Sequence, residues 1–264
     1  AVRFIERHRA EPFFLHLTYN APHTPLQAPE EDIRPFAETG RFTHGVSTIY
    51  GMIRRLDQGV AAVLQVLRQH GLEDNTIVIF TSDNGPQFGG EGEACTTRFN
   101  CQFNGAKGSV YEGGIRVPLL IRWPDGIEGG RQRPEMVHFC DWFPTIVAAL
   151  GISVPEHLRL DGVNVLPVLR GEGSYVETRR FWQWNRYTPV GAGNPAMRDG
   201  DLKLVLPHLA ELLVVREEDL AMDRALRYTP EKFPAISDEP LPPVPDIAPE
   251  RIVPELYDLA ADPR

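Results

Sequence analysis

Three short segments carry residue types that could do chemistry. Ser82-Asp83-Asn84-Gly85 follows directly on the β-branched, apolar run Thr76-Ile77-Val78-Ile79-Phe80-Thr81. Asp83 offers carboxylate oxygens and Asn84 an amide oxygen, hard donors suited to Ca²⁺ or Mg²⁺. Asn-Gly is equally a turn dipeptide, so the segment also reads as a plain turn. His23 lies in Asn20-Ala21-Pro22-His23-Thr24-Pro25, where two prolines limit the backbone as a fixed catalytic imidazole would need. A loop histidine with no role fits the same text. Lys107 sits in Asn104-Gly105-Ala106-Lys107-Gly108-Ser109, with glycines that let a backbone approach a ligand closely. A compact ammonium there could hold an anion, or be a solvated surface lysine. The spacing of a Walker A loop is absent.

The elements that must position these groups follow from patterning. Phe13-Phe14-Leu15-His16-Leu17-Thr18-Tyr19 reads as a buried strand ending before the His23 loop. From Ser47, apolar residues at Ile49, Met52, Ile53, Leu56, Val60, Val63, Leu64 and Leu67 fall on one helical face. Ser47 or Thr48 could cap its start, and Gly71 stands where a C′ glycine belongs. Thr76 to Thr81 predicts a strand buried on both faces, as in a parallel sheet. Val117-Pro118-Leu119-Leu120-Ile121 predicts a third strand, and Asp141 to Leu150 a helix with Pro144 in its first turn and Gly151 beyond its end. Strand, helix, strand is a βαβ signature, and open parallel sheets put ligands beyond the carboxyl ends of their strands.

After Gly171 the texture changes. Arg180-Phe181-Trp182-Gln183-Trp184 reads as a strand, Asp199-Gly200 as a hairpin turn before Leu202-Lys203-Leu204-Val205-Leu206, and Leu256-Tyr257-Asp258-Leu259 as a last strand. Residues 1–172 are therefore expected to form an α/β part. Residues 173–264 are expected to form a small antiparallel α+β subdomain, with a proline-rich segment at about 229–254.

With 27 Lys+Arg against 36 Asp+Glu the net charge is −9, which argues against a nucleic-acid partner. No apolar run approaches the ~20 residues of a membrane span. Three cysteines, 95, 101 and 140, are too few for a disulfide framework; Cys95 and Cys101 could bridge or remain free thiols.

In order along the chain the motifs resemble the sulfatase family of the alkaline phosphatase superfamily. The matching text is Pro12-Phe13-Phe14-Leu15 to Ala21-Pro22-His23-Thr24-Pro25 and Leu72-Glu73-Asp74-Asn75-Thr76 to Thr81-Ser82-Asp83-Asn84-Gly85. Lys107-Gly108, Tyr111-Glu112-Gly113-Gly114-Ile115-Arg116-Val117-Pro118, Asp141-Trp142-Phe143-Pro144-Thr145, Leu160-Asp161-Gly162 and Glu255-Leu256-Tyr257-Asp258-Leu259 continue the series. The resemblance implies an alkaline-phosphatase-like sandwich, with a central, mostly parallel sheet between helices. It implies that Asp83 and Asn84 are Ca²⁺ ligands (Mg²⁺ less so), and that His23 and Lys107 are catalytic and contact the sulfate ester. The substrate it implies is a sulfated small molecule or carbohydrate, in a periplasmic, secreted or lysosomal setting.

The family's formylglycine nucleophile arises from Cys or Ser in C/S-x-P/A-x-R, and no such segment occurs here. Cys95-Thr96-Thr97-Arg98 has its arginine one place early, and Ser153-Val154-Pro155-Glu156-His157 ends in His. The family's N-terminal Asp-Asp metal pair and Lys-x-His segment are also missing. The chain thus reads as the C-terminal part of a sulfuric ester hydrolase, inactive alone. A phosphodiesterase or phosphonate hydrolase of the same superfamily, or a non-catalytic binding homologue, are the alternatives.

Overall fold

A computed structural model describes residues 1–88, 99–173, 179–184, 193–206, 215, 217–229, 231 and 252–263. Helix α1 (Val2–His8) packs on the long helix α3 (His44–Gln69), and Ile5, Val66 and Leu67 form a buried cluster between them. The α3 stripe explains this: its apolar residues recur at helical spacing and turn one face inward. Thr43, not Ser47 or Thr48, caps α3, its hydroxyl accepting from the Val46 N–H at 3.3 Å. Ser47 and Thr48 lie buried one turn further in. Gly71 follows with φ +64°, the left-handed C′ position anticipated for it. Helix α2 (Glu30–Ala37) crosses α3 and buries Asp32, which pairs with Arg54 and Arg55.

Strand β1 (Val78–Thr81) follows, then the short helix α4 (Glu112–Ile115) and strand β2 (Leu119–Arg122). Here the structure departs from the parallel arrangement expected. β1 and β2 pair antiparallel, with Val78 opposite Arg122 and Thr81 opposite Leu119. Among the described residues the connection holds only the four-residue helix α4, too short to serve as the crossover of a parallel pair. Nor is β1 buried on both faces: Phe80 is 37% exposed and its partner Leu120 61%. Residues 13–19 run extended but make no ladder among the described residues, and Phe14 is 75% exposed. Their apolar pattern marks surface that packs, not which strand pairs with it; Phe13 and Leu15 do pack on the α1–α3 cluster.

A 3₁₀ turn (Phe139–Asp141) leads into helix α5 (Trp142–Ala149), and helix α6 (Leu166–Arg170) packs near it. Strands β3 (Arg179–Gln183), β4 (Pro195–Asp199), β5 (Leu202–Val205) and β6 (Glu255–Asp258) make an antiparallel sheet in the order β3-β4-β5-β6. β4 and β5 turn at Asp199-Gly200, the hairpin expected there. Helix α7 (Glu217–Tyr228) lies between β5 and β6 in sequence. Ala196, Val205 and Val110 form a second buried cluster, against which the partly buried Trp182 and Trp184 pack. Asn185, Arg186 and Tyr187, most of the proline-rich segment, and Cys95 lie outside the described residues, whereas Cys101 is exposed. Among the described residues no helix is long and apolar enough to cross a membrane.

Candidate active site

The end of β1 delivers Asp83 and Asn84 into a tight turn. The Ser82 hydroxyl donates to the Asn84 carbonyl at 3.0 Å, and the Asn84 amide nitrogen donates to the Gly85 carbonyl at 2.8 Å. That leaves the Asn84 Oδ1 facing the other way. The Asp83 carboxylate is exposed and has no hydrogen-bond partner among the described residues. Two unengaged hard oxygens side by side suit a divalent cation, but Ca²⁺ takes about 6–8 oxygen ligands. Among the described residues no group of three or more His, Cys, Asp or Glu stands ready to hold a metal. The turn therefore fits as part of a coordination shell, not as a whole one.

The Lys107 loop lies directly against this turn. The Lys107 N–H donates to the Pro86 carbonyl at 2.9 Å, and the Gly85 N–H donates to the Gly114 carbonyl at 2.9 Å. Gly105 and Gly108 adopt φ +77° and +85°, left-handed values that favour glycine and that bend the chain sharply on either side of Lys107. Asn100 braces the bend, its amide donating to the Phe103 and Gly105 carbonyls at 3.1 Å each. The Lys107 side chain itself is exposed.

His23 caps its own small turn, its N–H donating to the Asn20 carbonyl at 2.8 Å. Its Nδ1 lies 2.8 Å from the Thr24 carbonyl, which can only accept, so Nδ1 carries the proton and Nε2 is left for another partner. His23, Asp83, Asn84 and Lys107 all lie on the wall of one hollow of about 2560 Å³, bounded by residues 9–26, the apolar side of α3 and β1.

Two buried ion pairs were not legible beforehand. Lys203 donates to Glu112 at 2.8 Å, with side chains 2% and 5% exposed. Arg180 donates to Asp141 at 2.9 Å, and Asp141 also accepts from the His138 and Val163 N–H groups. The signal for Lys203 is a charged residue on the inward side of an alternating strand; Asp141 carries none beyond its place at the start of a helix. Beside Asp141, burial lowers the His138 pKa and raises that of the Cys140 thiol, whose sulfur is 3.0 Å from His138 Nδ1. A neutral thiol is a poor nucleophile, so this Cys–His contact is structural. Ser153, the proline-flanked serine, sits exposed in the irregular segment after α5.

The sulfatase family profile matches residues 1–152, more than half of the chain. The chain belongs to the sulfatase family. A second profile, N-sulphoglucosamine sulphohydrolase, C-terminal, matches residues 104–205. The chain is 36% identical over 181 residues to mouse steryl-sulfatase, covering 67% of this chain and 27% of that protein. It is 34% identical over 179 residues to human N-acetylgalactosamine-6-sulfatase, covering 64% of this chain and 31% of that protein. Among solved structures, Ps i-CgsB in complex with k-i-k-neocarrahexaose superposes with a TM-score of 0.67 at 32% identity, covering 77% of this chain and 44% of that one. The phosphonate monoester hydrolase SpPMH from Silicibacter pomeroyi, at 20% identity and a TM-score of 0.54, shares the fold. The fold class is thus α/β and alkaline-phosphatase-like. This sulfatase chain spans less than half the length of each of these relatives.

Proposed function

We propose that the complete protein hydrolyses a sulfate ester, with His23 and Lys107 acting on the ester and Asp83 and Asn84 holding part of a Ca²⁺ shell. The observation that supports this reading is the Lys107 N–H to Pro86 carbonyl bond, which holds the Lys107 loop backbone against the Asp83-Asn84 turn in a sulfatase chain. The Lys107 ammonium would pair with the sulfuryl oxygens and hold the anion in place. His23, its Nδ1–H held by the Thr24 carbonyl, would present Nε2 to the bridging oxygen and, when doubly protonated, give the Nε2 proton to the departing alkoxide and return to the neutral Nδ1–H form. The cation, when bound, offsets charge on the sulfuryl oxygens. Asp83 and Asn84 would keep two of its ligands at the end of β1.

The nucleophile of this reading is a formylglycine supplied from outside these 264 residues, since no C/S-x-P/A-x-R segment lies within them. The chain alone is then inactive. A sulfated carbohydrate is the favoured substrate class. It is supported by the relative named N-acetylgalactosamine-6-sulfatase and by the neighbour Ps i-CgsB in complex with k-i-k-neocarrahexaose. A periplasmic, secreted or lysosomal location suits a calcium-dependent hydrolase of this kind. The test is turnover of an aryl sulfate against an aryl phosphate by the complete protein, with and without a calcium chelator. Preferential phosphate cleavage, or sulfate cleavage indifferent to chelation, would refute the reading.

A further inference from the structure

Lysine is scarce in this chain. Only positions 107, 203 and 232 carry it, among 27 Lys+Arg. One of the three lies at the candidate site, and another is the largest fully buried side chain among the described residues. Lys203 projects from β5, and its Nζ meets the Glu112 Oε1 at 2.8 Å with the Trp182 ring centroid 5.7 Å away. Removing both charges from water is costly, and a lone carboxylate could sit at the surface instead. The pair ties β5 to the segment that carries the carboxylate.

What it holds is α4. Glu112 opens that helix, and the adjacent Tyr111 is gripped by the same sheet. Glu255 of β6 accepts from the Tyr111 hydroxyl at 2.7 Å and from the Tyr257 hydroxyl at 2.6 Å. The next two residues touch both arms of the candidate site. The Gly113 N–H donates to the Asn104 carbonyl at 2.7 Å, and the Gly114 carbonyl accepts from the Gly85 N–H at 2.9 Å. The C-terminal sheet also reaches the Lys107 loop itself, where the Asn194 amide donates to the Gly108 carbonyl at 3.3 Å.

We infer that Lys203 is a positioning residue: through Glu112 and the Gly113-Gly114 backbone it sets the spacing between the Asp83-Asn84 turn and Lys107. The inference rests on the proposed function for its meaning in turnover, but the geometry it describes is independent of it. Lys203 touches no substrate; its action runs through one carboxylate and two backbone hydrogen bonds.

The complete protein carrying Glu112→Gln together with Lys203→Met tests this. The paired change leaves no unpaired buried charge, so the fold is kept where Lys203→Met alone could lose it. Hydrogen exchange read by mass spectrometry should quicken in residues 82–86 and 104–116 and stay unchanged in α3. In turnover of an aryl sulfate, kcat/KM should fall at least tenfold. The same pair introduced into Lys107→Ala should change it less than twofold, because the effect acts through Lys107. Unchanged exchange in both segments, faster exchange spread over the whole chain, or a full additional loss in the Lys107→Ala background would each overturn the inference. If the unmodified protein cleaves no sulfate ester, the proposed function falls and the exchange result alone decides this one.

Discussion

Gly85→Ala is the sharpest single perturbation of the site. A Cβ on Gly85 would overlap the Gly113 carbonyl oxygen and stand 2.8 Å from the Gly113 carbon and 3.3 Å from the Gly114 Cα. Non-bonded heavy atoms settle at about 3.5–4.0 Å, so relieving the Gly113 carbon alone needs a parting of about 0.7 Å, and the overlapped oxygen needs more than about 1 Å. Every atom met is backbone, so no side chain can rotate aside. The separation also breaks the Gly85 N–H to Gly114 carbonyl bond. Overpacking costs about 1–3 kcal/mol and a lost hydrogen bond about 1 kcal/mol. At about 2–4 °C per kcal/mol for a domain of this size, the melting temperature should fall by about 4–16 °C. If the complete protein is the sulfate-ester hydrolase proposed, moving the Asp83 turn away from the Lys107 loop should lower its kcat/KM on an aryl sulfate about 10–10²-fold, in line with the penalty for an ångström-scale misplacement. Gly129→Ala is the matched control, since its Cβ would meet nothing within 4 Å. A Gly85→Ala protein with the melting temperature of the control and undiminished kcat/KM would show that the two turns are not packed as described.

Four further outcomes are expected. Arg180→Met leaves Asp141 buried without its cation and should destabilise by about 3–5 kcal/mol in urea unfolding, whereas Asp141→Asn with Arg180→Met should recover much of that. Burial holds the His138 pKa below its ordinary 6.5, so well above pH 6.5 neither folded nor unfolded His138 is charged; as pH falls through 6.5 the unfolded chain takes the proton first and stability declines. His138→Asn should flatten that part of the melting temperature against pH, and an identical slope in both proteins would rule the histidine out as its source. Lys107→Ala should lower kcat/KM about 10²-fold, as expected on losing one preorganised charge contact, while Asp83→Ala should weaken calcium dependence and activity together. The 264-residue chain by itself should bind a hydrophobic dye through Phe14, Phe80 and Leu120, which are 75%, 37% and 61% exposed; absence of dye fluorescence would mean that these faces are covered in solution.

How far the fold could be read in advance differs from element to element. The helix α3 declared itself because its apolar stripe and C′ glycine are local features, and the β4–β5 hairpin because Asp199-Gly200 fixes its own turn. Strand pairing did not, because a continuous apolar run such as Thr76 to Thr81 states that it packs but not with which neighbour or in which sense. The antiparallel β1–β2 ladder depends on where a long loop brings Leu119 back, which no window of sequence contains. The same holds for the site. Asp83, Asn84, His23 and Lys107 could be named from residue type and local context, yet the groups that hold α4 in place, Glu112 and Lys203, are 91 residues apart and meet only in three dimensions.

That division follows from the chemistry each group performs. A residue that meets substrate or cation must keep its functional atoms unengaged, and so it stands in polar, glycine-rich turns that look unusual in sequence. A residue that positions others must be buried and fully engaged, and so it hides in segments that read as ordinary core. Lys203 alternates with Leu202, Leu204 and Val205 like any strand residue, and only burial beside a carboxylate reveals its role. Tyr111 and Tyr257 share the Glu255 Oε2 in the same way, and the Tyr111 phenol is pushed well above its ordinary pKa of 10 by burial and by that carboxylate. Neither tyrosine is therefore an ionisable catalyst at neutral pH. Together with Lys203 they hold Tyr111 and Glu112, two successive residues at the start of α4, while the next two residues contact both arms of the site. The loop that carries the exposed Lys107 is thus tied to the buried Lys203 through a path of two backbone hydrogen bonds and one ion pair.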